Sequence, residues 1–145
     1  MKKIIYLFIP FFLITTLFAM EKTKEEKVAK FVLENIQKDY TTCYSFYKIA
    51  EEIFKSNNSN KSILNGIEKS ADFTLKFAHD LGEVLELKPE IMTKNNEKEI
   101  KRLSKIAEKD FNELTQQYGL ICKKLVEDQK QRINYWENLG NKKIK

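Results

Sequence analysis

Apolar residues recur at spacings of three and four along the first third of the chain, after its apolar N-terminus. This period indicates a helix with one buried face, and it predicts a first long helix from about residue 21 to residue 55. Phe31 and Ile49 lie outside the main stripe, so we expect this helix to contact more than one neighbour. The stripe consists of Val28, Val32, Ile36, Tyr40, Cys43, Tyr47, Ala50 and Phe54.

A polar segment, Ser56-Asn57-Asn58-Ser59-Asn60, follows the first stripe and predicts a turn, because Asn and Ser favour turns and helix caps. We expect the second helix to end at Lys88-Pro89, because the residue before a proline avoids helical backbone angles. A short turn over residues 90–94 and the pair Asn95-Asn96 then follow. The second stripe consists of Leu64, Ile67, Ala71, Leu75, Ala78, Leu81 and Leu85.

A third stripe continues almost to the C-terminus, where Gly140 ends it. A single helix over residues 96–139 would be about 65 Å long, against about 40 Å for the second helix, so we expect a break within it. The pattern therefore predicts an all-α fold, a small up-down bundle of three to four helices over residues 20–140, with a basic tail at 141–145. The stripe consists of Ile100, Leu103, Ala107, Phe111, Leu114, Tyr118, Ile121 and Leu125, and resumes at Ile133, Trp136 and Leu139.

The N-terminus has the layout of a secretory signal peptide. Lys2 and Lys3 precede an apolar run over residues 4–19, which changes abruptly to charged residues from Glu21 onwards. The run is short for a bilayer crossing and contains Pro10. We predict a signal peptide over residues 1–19 and a periplasmic or secreted protein. The alternative is an uncleaved anchor, which would be the chain's one contact with a membrane.

Cys43 and Cys122 are the two cysteines of the chain. In an exported protein such pairs persist as disulfides, so we predict a bridge; the alternative is two small buried thiols. Bridged Cα atoms lie within about 7 Å, whereas a straight third helix would place Cys122 roughly 18 Å above Cys43. We therefore expect a reversal near Tyr118-Gly119, with Gly119 as a left-handed helix stop. That reversal makes four helices.

Charge does not point to a nucleic acid. The formal net charge of +5 falls to +3 when Lys2 and Lys3 leave with the leader, and only Arg102 and Arg132 are arginines. The lysines are interspersed with Glu along helical faces, which is typical of a solvated surface. A nucleic-acid-binding protein concentrates cations on one face and uses arginine forks, so we expect no nucleic-acid partner.

Residues with metal-binding or catalytic chemistry are scarce. His79 is the one histidine, and the chain lacks the motifs His-Glu-x-x-His, Glu-x-x-His and Cys-x-x-Cys. A cysteine nucleophile needs a base beside it, and a disulfide would occupy both thiols. We therefore predict no enzyme, no catalytic residue, no metal ligand and no cofactor.

Phe73, Phe77 and Val84 form a second apolar line on the second helix, about 100° to 140° from its main stripe. They either pack on a third or fourth helix, or form a possible interface for another protein or an apolar ligand. Arg132 lies in line with the last core stripe, near Trp136, and marks either the end of the bundle or an anionic contact.

The leading prediction is an exported, non-catalytic protein that binds another protein. The alternative is a carrier or sensor of a small apolar ligand within the bundle.

Each cysteine lies in a short aromatic or apolar segment: Tyr40-Thr-Thr-Cys43-Tyr44-Ser-Phe46-Tyr47 and Tyr118-Gly-Leu-Ile-Cys122-Lys-Lys-Leu125. These two segments resemble a pattern found in small exported α-helical two-cysteine proteins of proteobacteria. In those proteins a cysteine followed by aromatic residues occurs in the first mature helix, and a second cysteine follows a tyrosine late in the chain. The resemblance implies an exported location and paired cysteines, and it implies no activity.

Overall fold

A computed structural model describes residues 23–145, and this part of the chain folds into five helices without a β-strand. The predicted signal peptide at 1–19 lies outside the described residues. Between residues 23 and 145, no helix combines the length and the apolar character that a membrane crossing needs. The helices are α1 (Lys24–Ser56), α2 (Lys61–Val84), α3 (Pro89–Ala107), α4 (111–127) and α5 (Gln129–Lys143).

Helix α1 is the element against which the other four helices pack. Its 33 residues give it a length of about 50 Å. It begins at a capping box, in which the Thr23 hydroxyl accepts a hydrogen bond from the Glu26 amide and the Glu26 carboxylate accepts one from the Thr23 amide. The buried cluster around α1 consists of Ile36, Tyr40, Cys43, Phe46, Ile49, Ala78, Leu103, Leu114, Cys122 and Leu125.

The all-helical fold is confirmed, but the predicted count of three to four helices is wrong. One reason is that α3 begins at Pro89, where we expected a turn over residues 90–94. Proline suits the first position of a helix, because the amide hydrogen it lacks would have no partner there. Lys88 before it is extended, with φ −67° and ψ 143°, so the proline separates two helices over a single short connection.

The predicted reversal at Tyr118-Gly119 is also wrong. Gly119 has a helical φ of −56° and lies inside α4, which consists of Phe111–Leu114, a π-helical turn Thr115–Gly119, and Leu120–Glu127. The chain reverses earlier, between α3 and α4, and the Asp110 carboxylate caps the new helix by accepting a hydrogen bond from the Asn112 amide. A further break follows at Asp128, whose carboxylate caps α5.

The Cys43–Cys122 disulfide joins α1 to α4, with an S–S distance of 2.05 Å and a Cα–Cα distance of 5.2 Å. Both residues are almost fully buried. The early reversal explains how the bridge forms: α4 returns along α1 from residue 111, so Cys122 reaches the level of Cys43. The bridge was therefore predicted correctly although the position of the turn was not.

Two glycines mark close approaches between helices. A Cβ added to Gly82 of α2 would clash with Sδ of the buried Met92 on α3, and one added to Gly140 would lie 3.1 Å from Phe31. Gly140 does not end α5, which continues to Lys143, so most of the predicted tail at 141–145 is helical. Glycine at these two positions allows α2 to approach α3, and α5 to approach α1.

Removing the disulfide should lower the free energy of unfolding by about 4 kcal/mol, because the bridge closes a long loop in the unfolded chain. Guanidinium unfolding of the wild type and of the double variant Cys43→Ala/Cys122→Ala measures the loss. As a control, a reductant should destabilise the wild type and leave the double variant unchanged. Equal stability of the two proteins would contradict this expectation.

The substitution Gly82→Ala should lower the free energy of unfolding by about 1–2 kcal/mol, because the new methyl group overpacks the contact with Met92. Gly66→Ala is the matched control on the same helix, since its Cβ would meet nothing within 4 Å. There the better helix propensity of alanine should raise stability by about 0.5–1 kcal/mol. Thermal unfolding of both variants would show the opposite signs, and two stabilised variants would refute a tight contact at Gly82.

Candidate functional site

Several large apolar side chains lie exposed and close together where α4 meets α5. Leu120 is 63% exposed, Tyr135 is 50% exposed and Ile121 is 38% exposed. They border an open groove of about 340 Å³ between the two helices, which we call the α4–α5 groove. Its lining consists of Leu120, Ile121, Lys124, Gln131, Arg132 and Tyr135.

The groove forms because a single residue, Asp128, connects the two helices. Asp128 is extended, with φ −148°, and its carboxylate accepts a hydrogen bond from the Lys130 amide at 3.1 Å. The cap starts α5 immediately after α4 ends. Because α4 turns Cys122 and Leu125 into the core, Leu120 and Ile121 lie on its outer side, beside the first turns of α5.

A polar cluster fixes α5 on α1 at one side of the groove. The Arg132 guanidinium donates two hydrogen bonds to the Asp39 carboxylate, at 2.6 and 3.0 Å, and the Trp136 indole N–H donates a third at 2.5 Å. The guanidinium also lies 4.7 Å from the ring centre of Tyr135 and 4.8 Å from that of Trp136. Arg132 therefore has an internal carboxylate as its partner and holds Tyr135 in place by a cation–π contact.

Lys124 is the cation of the α4–α5 groove that is available to form an ion pair with a ligand. It forms no ion pair with any residue in the described range 23–145, whereas the neighbouring Lys123 lies 3.9 Å from Glu127. The α4–α5 groove thus presents apolar walls, one aromatic ring and an unpaired ammonium group. This combination can bind an apolar side chain that has a carboxylate next to it.

The three residues of the predicted interface, Phe73, Phe77 and Val84, differ in their burial. Phe73 and Phe77 are half-buried, and the centroids of their rings lie 4.6 Å apart. The ring of Phe77 stacks on that of Tyr40 of α1, with 5.3 Å between the ring centroids. Val84, two turns further along α2, is 64% exposed. The two phenylalanines therefore pack on the first helix, not on the third or fourth as the alternative had it. A role in binding stays a prediction for this line.

The residues considered for catalysis do not come together. Both thiols are joined in the disulfide, so neither is a nucleophile in this state, and His79 is half-buried on α2. Within residues 23–145 no group of three or more His, Cys, Asp and Glu side chains is arranged to hold a metal ion.

The α4–α5 groove was not predicted from the sequence, because Ile121 was assigned to the core stripe and the chain was expected to reverse at Tyr118-Gly119. One signal was present. Two consecutive apolar residues on a helix point about 100° apart, so Leu120 and Ile121 cannot both face the same core beside Cys122.

Replacing Asp39 by alanine should lower the free energy of unfolding by about 2–3 kcal/mol, because the half-buried Arg132 loses its partner. Trp136 is the one tryptophan of the chain, so its fluorescence reports on this cluster and should shift to longer wavelength. The double variant Asp39→Ala/Arg132→Ala should lose less than the sum of the two single losses. Additive losses with unchanged emission would exclude the coupling.

No protein-family model, no curated protein and no solved structure matches this chain. The resemblance of its two cysteine segments to small exported proteins of proteobacteria therefore stays a prediction, and the geometry of the site is the basis for a functional proposal.

Proposed function

We propose that this chain is an exported, non-catalytic helical protein that binds another protein through the α4–α5 groove. The observation that carries the proposal is the groove itself, in which Leu120, Ile121 and Tyr135 stay exposed around the unpaired Lys124. Large apolar side chains gathered on a surface are typical of an interaction site.

Two features support a location outside the cytoplasm, in the periplasm or the secreted fraction. The first is the leader-like segment at residues 1–19. The second is the Cys43–Cys122 disulfide, since structural disulfides persist in oxidising compartments and are rare in the cytosol.

A protein partner fits the site better than a small apolar ligand held inside the bundle. The centre of the bundle is filled by side chains that are less than 2% exposed, among them Tyr40, Leu103 and Leu114. The α4–α5 groove is open to solvent along the surface. A tyrosine held rigid by an arginine, beside a leucine, resembles the aromatic anchors that dominate protein interfaces.

The charge of the groove indicates the chemistry of the partner. Arg132 is neutralised by Asp39, so the ammonium group of Lys124 is the charge left for an incoming group. We infer a partner segment with a large apolar side chain next to an aspartate or glutamate. The apolar side chain would lie between Leu120 and Tyr135, and the carboxylate would pair with Lys124.

A photo-crosslinking amino acid at position 135, introduced in the producing cell, should give one specific adduct, and the same group at exposed Ile63 on α2 should not. The crosslinked partner is then purified and titrated against the protein. Leu120→Ser should weaken this binding at least about tenfold, a loss of about 1.4 kcal/mol, and Lys124→Glu should weaken it further, because the partner segment is acidic.

Ile63→Ser is the matched control, since Ile63 is 49% exposed outside the groove, and it should leave the affinity unchanged. Three outcomes would refute the proposal: an adduct with a second copy of this chain, a lipid retained at the groove in native mass spectrometry, or a purified partner that binds Leu120→Ser as tightly as the wild type. Retained lipid would favour the carrier of an apolar ligand.

A further inference from the structure

A second concave surface lies between α1 and α3, and every residue that lines it carries a polar or charged group, whereas the α4–α5 groove also has large apolar side chains in its lining. We call this space of about 360 Å³ the α1–α3 cleft. It adjoins a second groove of about 380 Å³, with which it shares Gln37, Lys38 and Asn95. The lining of the α1–α3 cleft consists of Gln37, Lys38, Thr41, Thr42, Asn95, Lys98 and Glu99.

The floor of the cleft holds two buried polar side chains whose hydrogen bonds are weak. Gln37 is 5% exposed and Thr41 is 6% exposed. The Gln37 amide donates to the Thr41 hydroxyl at 3.3 Å and to the Ala78 carbonyl at 3.4 Å, near the limit for a hydrogen bond. Within residues 23–145 its carbonyl oxygen accepts no hydrogen bond. A buried amide that lines a cleft with an acceptor to spare can receive a donor from a ligand.

The buried hydroxyl groups of Ser45 and Thr74 are satisfied within their own helices, whereas the buried Tyr40 hydroxyl has no hydrogen-bond partner in the described residues 23–145. Ser45 donates to the Thr41 carbonyl at 2.9 Å, and Thr74 donates to the Ser70 carbonyl at 2.8 Å. Buried polar groups cost free energy unless they are hydrogen-bonded. Gln37 and Thr41 therefore differ from Ser45 and Thr74 in the length of their hydrogen bonds, and unlike Tyr40 they line the cleft.

One wall of the cleft is held by a chain of hydrogen bonds across three helices. The Thr42 hydroxyl donates to Glu99 at 2.7 Å, and the Arg102 guanidinium donates to both carboxylate oxygens of Glu99 at 2.7 and 2.8 Å. Arg102 also donates to the Tyr118 hydroxyl on α4 at 3.1 Å. The hydrogen bonds from Arg102 lower the pKa of Glu99, so the wall carries a fixed carboxylate whose charge the guanidinium compensates.

The cations at the mouth of the cleft give it a positive excess. Lys38 on α1 and Lys98 on α3 are exposed, and neither forms an ion pair with another residue of the described range. Because Arg102 compensates Glu99, these two ammonium groups set the sign of the ligand. The cleft thus combines two free cations at its rim with a floor of carboxamide and hydroxyl groups.

We propose that the α1–α3 cleft binds a small organic anion that carries several hydroxyl groups. The anionic group, a carboxylate or a phosphate, lies between Lys38 and Lys98. The hydroxyl groups donate to the Gln37 carbonyl oxygen and exchange hydrogen bonds with Thr41 and Asn95. This site is separate from the α4–α5 groove, and the protein would use it whether or not a partner binds there.

Calorimetric titration at low ionic strength, with the oxidised full chain, tests the proposal with four probes. D-Gluconate and D-glucose 6-phosphate carry hydroxyl groups with either anion, D-glucose lacks the charge, and inorganic phosphate lacks the hydroxyl groups. At least one of the first two should bind, and both controls should bind at least about tenfold more weakly, as expected for the loss of a charge-assisted hydrogen bond.

The double variant Lys38→Met/Lys98→Met should weaken binding at least about tenfold. Lys69→Met, which removes an exposed lysine of α2 outside the cleft, should leave it unchanged. Gln37→Leu should weaken binding while the midpoint of thermal unfolding stays equal or rises, which separates a lost ligand contact from a lost fold. Binding of phosphate as tight as that of glucose 6-phosphate would overturn the recognition of hydroxyl groups. Absence of binding by all four probes would overturn the site.

Discussion

The disulfide between Cys43 and Cys122 is the constraint on which the arrangement of the second half of the chain depends. Helix α4 buries few side chains, chiefly Leu114 and Leu125 beside the cysteine. A covalent link at this point keeps α4 against α1 although its own apolar contact is small. Since α5 follows α4 after a single residue, the position of α5, and with it the α4–α5 groove, depends on the same link.

A short stretch of α1, residues 37–42, contacts three other helices at once. Asp39 accepts hydrogen bonds from α5, Tyr40 stacks on Phe77 of α2, and Thr42 donates to Glu99 of α3. Successive residues of a helix point about 100° apart, so neighbouring positions face different partners. The α1–α3 cleft and the Asp39 contact that holds α5 therefore lie on different sides of the same turns of α1. Tyr40 on these turns is buried, which raises its pKa to about 12.

The helices that bury a continuous stripe could be predicted from the sequence, and the connections could not. The periods over α1 and α2 indicated the right elements because both helices keep one apolar face along their whole length. The turn was predicted in the wrong place because the disulfide requires a reversal and the third stripe shows none between Ala107 and Phe111. The same stripe crosses Gly119 without interruption, in agreement with the helix found there. The earlier reversal depends on Asp110, a single residue that caps the next helix. Because Asp110 lies in a charged segment, the spacing of the apolar residues does not reveal it.

The candidate surfaces were harder to predict for a related reason. Both surfaces are formed by side chains from two helices, and the angle between the helices brings these side chains together. Leu120 of α4 and Tyr135 of α5 line the α4–α5 groove, and Gln37 of α1 and Asn95 of α3 line the α1–α3 cleft. Periodicity describes one helix at a time. It showed that Arg132 lies in line with the core, but its partner Asp39 is 93 positions away in the sequence.

The π-helical turn Thr115–Gly119 sets the register of α4. Leu114 and Cys122 are eight positions apart, which in a regular α-helix would turn their side chains about 80° away from each other. A π-helical turn accommodates one extra residue, so the eight positions act as about seven and both side chains reach the core. The one extra residue of the π-helical turn therefore brings the side chains of Leu114 and Cys122 onto the same face of α4. The number of residues in this segment matters more to the fold than the identity of its exposed residues.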